Sequence, residues 1–344
     1  MSPSDKQARP HAPARIGVVG LGAWGSSLAL YCTRIGHSVV AWHRPGAHSD
    51  EITASGTLSI GKNIREKLPA PLSLTPNVSD CASCDLTIVA LPASAWREVV
   101  PKLKSASLIV SATKGLDKES QKTPLTFAAE EVGISADRLC VLSGPSFASD
   151  LFNGTPLSMV CASNSASAGN TVARTLSSNT VRIYSSTDTL GVELGGILKN
   201  IIAIAVGICD ALGYGPSTRA ALVTRGLAEM TRIATAWGAN PQTLTGLSGL
   251  GDLVMTSTDN QSRNRSVGLL LGEGKTLSET IACLGATAEG VYSAPLVATL
   301  AKKMSVEAPI VDVVVQVLSG ALKPQEAAHQ LMTRPLKAEV ATPS

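Results

Sequence analysis

The sequence predicts an α/β half built on a mostly parallel sheet, followed by an all-α half. Three observations carry this. Up to residue 187, short apolar runs rich in Val and Ile alternate with helix-like stretches, as strands covered on both faces by helices do. From residue 188 onward helical patterns follow one another between Gly and Pro breaks, without strand alternation. The 344 residues, 44% of them apolar, suffice for two ordinary domains with their own cores.

Each element has a local reason. Residues 15–20 (RIGVVG) are an apolar run ending in Gly, as a buried strand would. Residues 26–34 read as a helix with Gly36 as its stop, and residues 38–42 (SVVAW) as a second strand. Residues 86–91 (LTIVAL), 107–112 (SLIVSA) and 139–143 (LCVLS) are further strands, with a helix over 124–132. Residues 157–162 and 180–184 are late strands closing the sheet. In the second half helices are expected at 190–212, 219–237, 266–271, 278–283, 293–303, 310–319 and 324–331. The expected organisation is a disordered tail over 1–14, an α/β domain over 15–187, a helical domain over 188–335 and a frayed tail over 336–344.

Composition narrows the function classes. Charged residues are 16% of the chain, against roughly 25% in an average soluble protein, which excludes a disordered protein. The net charge of +3 is too small to predict a nucleic-acid groove or attraction to anionic membranes, though a local basic pocket for an anion remains open. Seven Cys, mostly inside apolar runs, read as buried thiols of a reducing compartment, and the lone CxxC at Cys81 and Cys84 as incidental spacing. Residues 1–14 have no apolar h-region, so no secretory signal is expected. The closest approach to a membrane span, residues 197–208, is interrupted by Lys199 and Asn200, so no membrane insertion is expected and the chain reads as soluble and cytoplasmic.

Chemistry enters at Gly20-Leu-Gly22-Ala-Trp-Gly25, which follows the first strand and opens the first helix. Gly20 permits the turn, Gly22 lets a pyrophosphate reach the backbone, and Gly25 lets helix and strand pack closely. The phosphates then meet free N–H groups at the positive end of the helix. The second strand ends in Trp42-His43-Arg44, with no carboxylate to repel a 2′-phosphate and with Arg44 able to pair with one, so NADP(H) is at least accepted beside NAD(H). A solvated loop charge is the alternative reading of Arg44.

Other candidates lie at strand ends and in the helical half. Lys114, in Ser111-Ala-Thr-Lys-Gly115, stands where open α/β sheets bind ligands, and there it meets an anion or is an ordinary loop Lys. Gly144 and Ser146 of Ser143-Gly-Pro-Ser-Phe-Ala148 offer a backbone N–H and a hydroxyl, or only a turn. Lys199 lies in a helix apolar nearly all round, so it snorkels, pairs, or loses its proton, the last being what a general acid or base needs. Asp252 in Ser248-Gly-Leu-Gly-Asp either charge-pairs with that Lys or caps a helix. Residues 256–265 (TSTDNQSRNR) gather hydroxyls, amides and two guanidiniums, an inventory that suits a phosphate and also a solvated helix start. Glu289 bonds a ribose or nicotinamide, or faces water. No residue pattern calls for a metal.

GLGAWG, ATKGL, SGPSFA, GGILKNIIAI, TRGLAEM, GLGDL and TDNQSRNR occur here in one order. Together they resemble the NAD(P)-dependent glycerol-3-phosphate dehydrogenases of bacterial type, over roughly residues 15–335. The resemblance implies a Rossmann domain followed by a helical domain, with the active site between them. It implies reversible reduction of dihydroxyacetone phosphate to sn-glycerol 3-phosphate by NADPH or NADH, feeding glycerophospholipid synthesis. The family's catalytic Lys falls on Lys199, oriented by Asp252. Its substrate contacts fall on Lys114, Gly144, Ser146, Asp252, Ser262, Arg263 and Asn264. Its cofactor contacts fall on Trp24, Arg44, Lys114, Ala148, Arg263 and Glu289, and His43 and Thr287 join the candidate cofactor site as neighbours of Arg44 and Glu289. Ala23, Leu91-Pro-Ala-Ser94 and Thr287 depart from the usual pattern. Another dehydrogenase of 3-hydroxyacid or 6-phosphogluconate type, or a non-catalytic NADP(H) sensor, is the alternative. An apolar helical domain is compatible with a homodimer.

Overall fold

The computed structural model describes residues 12–61, 64–285 and 288–333. The expected tail over 336–344, all but the end of the one over 1–14, and candidate residue Thr287 lie outside the described residues. Chain order runs β1 (Arg15–Val19), α1 (Ala23–Arg34), β2 (Ser38–Trp42), α2 (Ala47–Ser55), β3 (Thr57–Ser59), β4 (Arg65–Lys67), β5 (Leu72–Thr75) and β6 (Leu86–Val89). It continues with α3 (Trp96–Val99), β7 (Ile109–Ser111), α4 (Pro124–Glu130), β8 (Leu139–Ser143), α5 (Ala148–Asn153), β9 (Leu157–Ser163), α6 (Ala166–Leu176) and β10 (Val181–Ser186). The helical half follows as α7 (Thr189–Ala211), α8 (Gly215–Ala236), α9 (Pro241–Leu244), α10 (Asp252–Thr258), α11 (Arg263–Gly272), α12 (Leu277–Leu284), α13 (Glu289–Lys303), α14 (Pro309–Leu318) and α15 (Pro324–Met332).

The main sheet has the order β10-β9-β8-β7-β6-β1-β2-β5. Its inner strands are apolar because both faces are covered, while the edge strands β5 and β10 carry exposed residues. Ile16 and Val18 of β1 join one core layer with Leu28 and Ile88, while Val19 joins the other with Val40, Val89 and Ile109. Each such side chain contributes about 1.5–3 kcal/mol by leaving water. Neighbouring strands are parallel except β8 and β9, which run antiparallel. The reason lies in α5. Its six residues, capped by Gly154 in the left-handed region, turn the chain back at the same end of the sheet instead of crossing over it. The sheet's switch point is β1, flanked by β6 on one side and β2 on the other. Crevices for ligands open there, beyond the strands' carboxyl ends.

In the helical half α7 is the axis. Its residues from Gly191 to Ile208 are all buried, with α8, α10, α11, α13 and α14 around it. By length and composition it would cross a membrane, contrary to what the interruption at Lys199 and Asn200 suggests, but its apolar window is wholly enclosed by protein. Segments 44–85 were blank in the sequence pattern, and here they hold α2, the β3–β4 hairpin and the edge strand β5. Those strands are three or four residues long and β4 is fully exposed, so no alternation could announce them. Cysteines also need correction. Five are buried, but Cys209 is half-buried and Cys283 exposed.

Candidate active site

The glycine-rich turn leaves β1 at Gly20, whose φ of +101° suits only glycine, and a Cβ there would stand 2.7 Å from the Ala90 carbonyl. A Cβ on Gly25 would stand 1.8 Å from the Gly20 carbonyl oxygen, so helix α1 touches the turn itself. Gly22 differs. It is exposed, and a Cβ there would meet nothing of this chain within 4 Å. The two outer glycines answer to the protein, and the middle one faces the space in which a pyrophosphate would rest. Nearby, His43 is half-buried and its Nδ1 has no hydrogen-bond partner in the chain, while exposed Arg44 pairs with Glu98 at 3.0 Å. The Ala148 carbonyl receives the Ser27 hydroxyl of α1 at 2.7 Å, which sets α5 beside this turn, and Trp24 is half-buried. The open glycine cradle and the unpartnered imidazole fit a dinucleotide.

Lys199 is 5% exposed and does not snorkel. Its Nζ donates to Asp252 Oδ1 at 2.6 Å and to Thr256 Oγ1 at 2.5 Å. Asp252, fully buried, spends its other oxygen on Lys114 Nζ at 2.6 Å. It therefore pairs with two lysines, one from each half of the chain, and caps no helix. A single π-helical turn over Leu247–Gly251 delivers it, with glycine required because a Cβ on Gly249 would stand 2.0 Å from the Leu244 carbonyl. Glycine also brings α7 close. A Cβ on Gly195 would stand 2.5 Å from the Ser248 carbonyl, and one on Gly196 would press on Ser143 Oγ and the Lys114 stem. Lys114 rides a fixed loop, since Trp96 Nε1 donates to Thr113 Oγ1, which donates to the Leu91 carbonyl.

Burial pushes the Lys199 ammonium down to about 8, with Asp252 pulling it up and Lys114 pushing it further down. For Asp252 burial acts upward, but the two ammonium groups outweigh it and hold the carboxyl below the usual range. The result is an amine that exchanges a proton near neutral pH beside a carboxylate that stays charged.

The polar stretch before and within α11 completes the arrangement. Asn264 Nδ2 donates to Asn200 Oδ1 at 2.9 Å, and Asn264 Oδ1 accepts from Gly290 N–H at 3.0 Å. Arg263 opens α11 with an exposed side chain. The Ser262 hydroxyl accepts the Arg265 N–H, so this candidate serves first as the helix cap. Ser146 donates to the Gly144 carbonyl, which also accepts from Lys114 at 3.4 Å. Glu289 accepts the Ala93 N–H at 3.3 Å, and a Cβ on Gly115 would collide with its Oε2 at 2.3 Å. Burial lifts the Glu289 carboxyl to about 7, while the Ala93 N–H and Arg263 act downward. The departure at Leu91-Pro-Ala-Ser94 thus costs little here, because the contact uses backbone.

Two groups of candidates emerge. Lys114, Gly144, Lys199 and Asp252 form one connected network, and Asn264 joins it through Asn200, whose Nδ2 donates to the Lys114 carbonyl at 3.4 Å. Gly20, Gly22, Gly25, Trp24 and Ala148 gather at the turn. In the sequence Asn200 reads only as a break in an apolar run and Thr256 only as the first residue of a polar stretch offered to a phosphate, and neither is joined to Lys199. Their signals were a second polar residue in an apolar helix and a hydroxyl four places after Asp252, hence on the same helix face. Among the described residues no group of three His, Cys, Asp or Glu side chains is placed to hold a metal ion.

Residues 15–169 match the family described as the NAD-dependent glycerol-3-phosphate dehydrogenase N-terminus, and residues 188–329 its C-terminus. The glycerol-3-phosphate dehydrogenase (NAD(P)+) of Halorhodospira halophila is 41% identical over 330 residues, covering 94% of this chain and 98% of its own. That of Geobacter sulfurreducens is 40% identical over 331 residues, covering 94% and 98%. The crystal structure of glycerol-3-phosphate dehydrogenase from Coxiella burnetii superposes with a TM-score of 0.88 at 37% identity, covering 94% of this chain and 99% of its own.

Proposed function

Because this chain belongs to the NAD-dependent glycerol-3-phosphate dehydrogenase family, we propose that it reduces dihydroxyacetone phosphate reversibly to sn-glycerol 3-phosphate with Lys199 as the proton donor. The observation that carries the assignment of Lys199 is its place as a buried ammonium between Asp252 and Thr256, with Lys114 on the far side of the carboxylate. When bound, the dinucleotide supplies the hydride. Gly20 to Gly25 and the first turn of α1 would receive its pyrophosphate, with Trp24, His43 and Ala148 near that turn and Glu289 available to its ribose or nicotinamide. Arg44 pairs with Glu98 through Nη2 only and in an exposed place, so the rest of its guanidinium can meet a 2′-phosphate, which supports NADP(H) beside NAD(H).

Arg263 and Asn264 hold the substrate phosphate, with the Ser262 hydroxyl proton, Gly144 and Ser146 available to the rest of the molecule. Held there, the substrate directs its carbonyl to the lysines. Lys199 gives a proton to the oxygen on C2 as negative charge develops, and Asp252 fixes the direction of the amine and stabilises its charged form. Lys114 adds a second positive charge on the same side. In reverse, the neutral amine takes the hydroxyl proton. The halves meeting at this site divide at 187/188 in the same reading, which the start of α7 at Thr189 supports. The reading also takes the chain as a cytoplasmic homodimer supplying glycerophospholipid synthesis.

Absorbance of NADPH or NADH, followed with dihydroxyacetone phosphate, tests the reaction. Lys199→Ala should lower kcat about 10²–10⁴-fold while NADPH still binds. Near-normal turnover by that variant removes Lys199 from the mechanism. Consumption of a 3-hydroxyacid or 6-phosphogluconate instead, or tight NADPH binding without turnover by the unaltered chain, overturns the substrate.

A further inference from the structure

Asp210 lies on α7, the helix of Lys199 and Asn200, and its side chain is 6% exposed. Its Oδ2 accepts both Nε (2.9 Å) and Nη2 (2.6 Å) of Arg265, itself 9% exposed, on α11. Its Oδ1 accepts Nε of Arg219 on α8 at 2.9 Å and lies 2.8 Å from that guanidinium's Nη2 as an ion pair. The remaining arm of Arg265 donates from Nη1 to Asn260 Oδ1 at 2.7 Å, in the segment leading into α11. The backbones of α7 and α11 touch at this level. A Cβ on Gly207 would stand 2.2 Å from the Arg265 carbonyl, and one on Gly268 2.0 Å from the Ile204 carbonyl.

A buried ion pair is weak evidence for stability, because desolvation offsets much of its attraction. What a planar fork held through all three nitrogens by two partners does supply is direction. Arg265 is the residue after Asn264 and the second after Arg263, so the clamp on its guanidinium fixes the first turn of α11 and the chain entering it. That turn then stands at a set separation from Lys199, on the helix that holds Asp210.

We propose that Asp210 and Arg265 are positioning residues for substrate phosphate, locking the turn of Arg263 and Asn264 at the distance from Lys199 that a phosphate one carbon from the carbonyl requires. The inference rests on the phosphate role proposed for Arg263 and Asn264. Neither Asp210 nor Arg265 reaches the reacting atoms in it.

The test uses the full chain and four variants. Asn260→Ala removes only the loop contact, Asp210→Asn weakens the grip on both guanidiniums, Asp210→Glu keeps the charge, and Arg263→Ala probes the phosphate site directly. Measured are kcat, KM for dihydroxyacetone phosphate and for NADPH, and competitive inhibition by inorganic phosphate. Asn260→Ala should raise KM for dihydroxyacetone phosphate about five-fold and Asp210→Asn about ten- to hundred-fold. The phosphate inhibition constant should rise by the same factors, with KM for NADPH and kcat changing less than about two-fold. Asp210→Glu should recover part of the loss. If Asp210→Asn does not fold, Asn260→Ala decides alone. An unchanged KM for dihydroxyacetone phosphate in Asn260→Ala overturns the proposal, as does a fall in kcat and rise in both KM values together, which is what mere loosening of the domain would give. If Arg263→Ala also leaves that KM unchanged, the phosphate site itself is misplaced. If Arg263→Ala raises it and the other variants do not, only the clamp is wrong.

Discussion

At Lys199 two opposing influences meet in one titration. Burial brings the ammonium down from 10.5 to about 8, and Asp252 limits the fall. Reduction needs the protonated amine, so kcat/KM for dihydroxyacetone phosphate should be level below about pH 8 and decline above it, while oxidation of glycerol 3-phosphate should rise through the same range. Asp252→Asn removes the attraction that opposes desolvation, so the limb should move to lower pH. A limb that stays in place, in pH–rate profiles taken in both directions, separates Lys199 from the proton transfer. The sequence showed why Lys199 matters, because an ammonium inside an apolar helix needs a reason. It offered Asp252 as a charge partner or a helix cap and could not choose between them. Asp252 and Lys199 are 53 residues apart in the chain, and only the turn over Leu247–Gly251 and the close approach at Gly195 bring them together. Ser262 illustrates the opposite limit. Its motif suggested a phosphate ligand, yet its oxygen is engaged by the helix it begins.

The glycine-rich turn makes a prediction about an element, because its three glycines answer to different neighbours. Gly22 has φ −69°, which any residue adopts, and no atom of the chain within reach of a Cβ. Gly22→Ala should therefore melt like the unaltered protein and bind NADPH at least about ten-fold more weakly, since the methyl takes the space of a phosphate. Gly25→Ala forces a methyl onto the Gly20 carbonyl and should lower stability by about 1–3 kcal/mol, seen as a lower Tm without ligand. Melting curves and a fluorescence titration of NADPH separate the two, and undiminished NADPH binding by Gly22→Ala would take the pyrophosphate away from this turn. The turn was legible because a strand, a glycine motif and a helix start coincide within a few residues. The long helices were legible for a related reason, their apolar patterns running over many turns. By contrast α6 is not in the sequence reading although its buried Gly169, Val172, Ala173 and Leu176 recur at helical spacing, because two of the four are Gly and Ala and the stripe carries little apolar bulk among Ser, Asn and Thr. The reversed β9 was not readable either. Strand direction depends on where α5 sends the chain, which no period of β9 itself records.

Across the whole molecule α7 is the member that both halves share. Besides Lys199 and Asn200 it carries Glu193, 3% exposed, whose Oε1 accepts the Leu125 N–H at the start of α4 in the α/β half at 2.8 Å. Burial raises this carboxyl to about 7, with the Leu125 N–H and the Thr123 hydroxyl acting downward. The sign follows from proton counting. Below the ordinary value of 4.5 both folded and unfolded chains hold the proton, and between 4.5 and about 7 the folded chain keeps a proton that the unfolded one has released. Stability from this group therefore falls as pH rises across that window and stays low above it. Asp252 works in the reverse sense, its depressed carboxyl contributing stability that is lost in acid, so the bare pH profile of the protein mixes the two. Comparing variants isolates Glu193. Glu193→Gln keeps a carbonyl to accept the Leu125 N–H and has no proton to lose, so its Tm relative to the unaltered chain should climb from pH 4.5 to about 7 and then level off. A Tm difference constant from acid to neutral pH would mean that this carboxyl does not titrate on folding. Glu229 is a poorer probe of the same effect, because its two oxygens accept Ile310 and Val311 N–H groups separately and an amide could satisfy only one of them. The choice of Glu193 also tests the joint itself. A shared helix whose carboxyl grips α4 ties the melting of the sheet to that of the helical half, so Glu193→Gln should shift a single transition, whereas two transitions moving apart would show that the halves unfold separately.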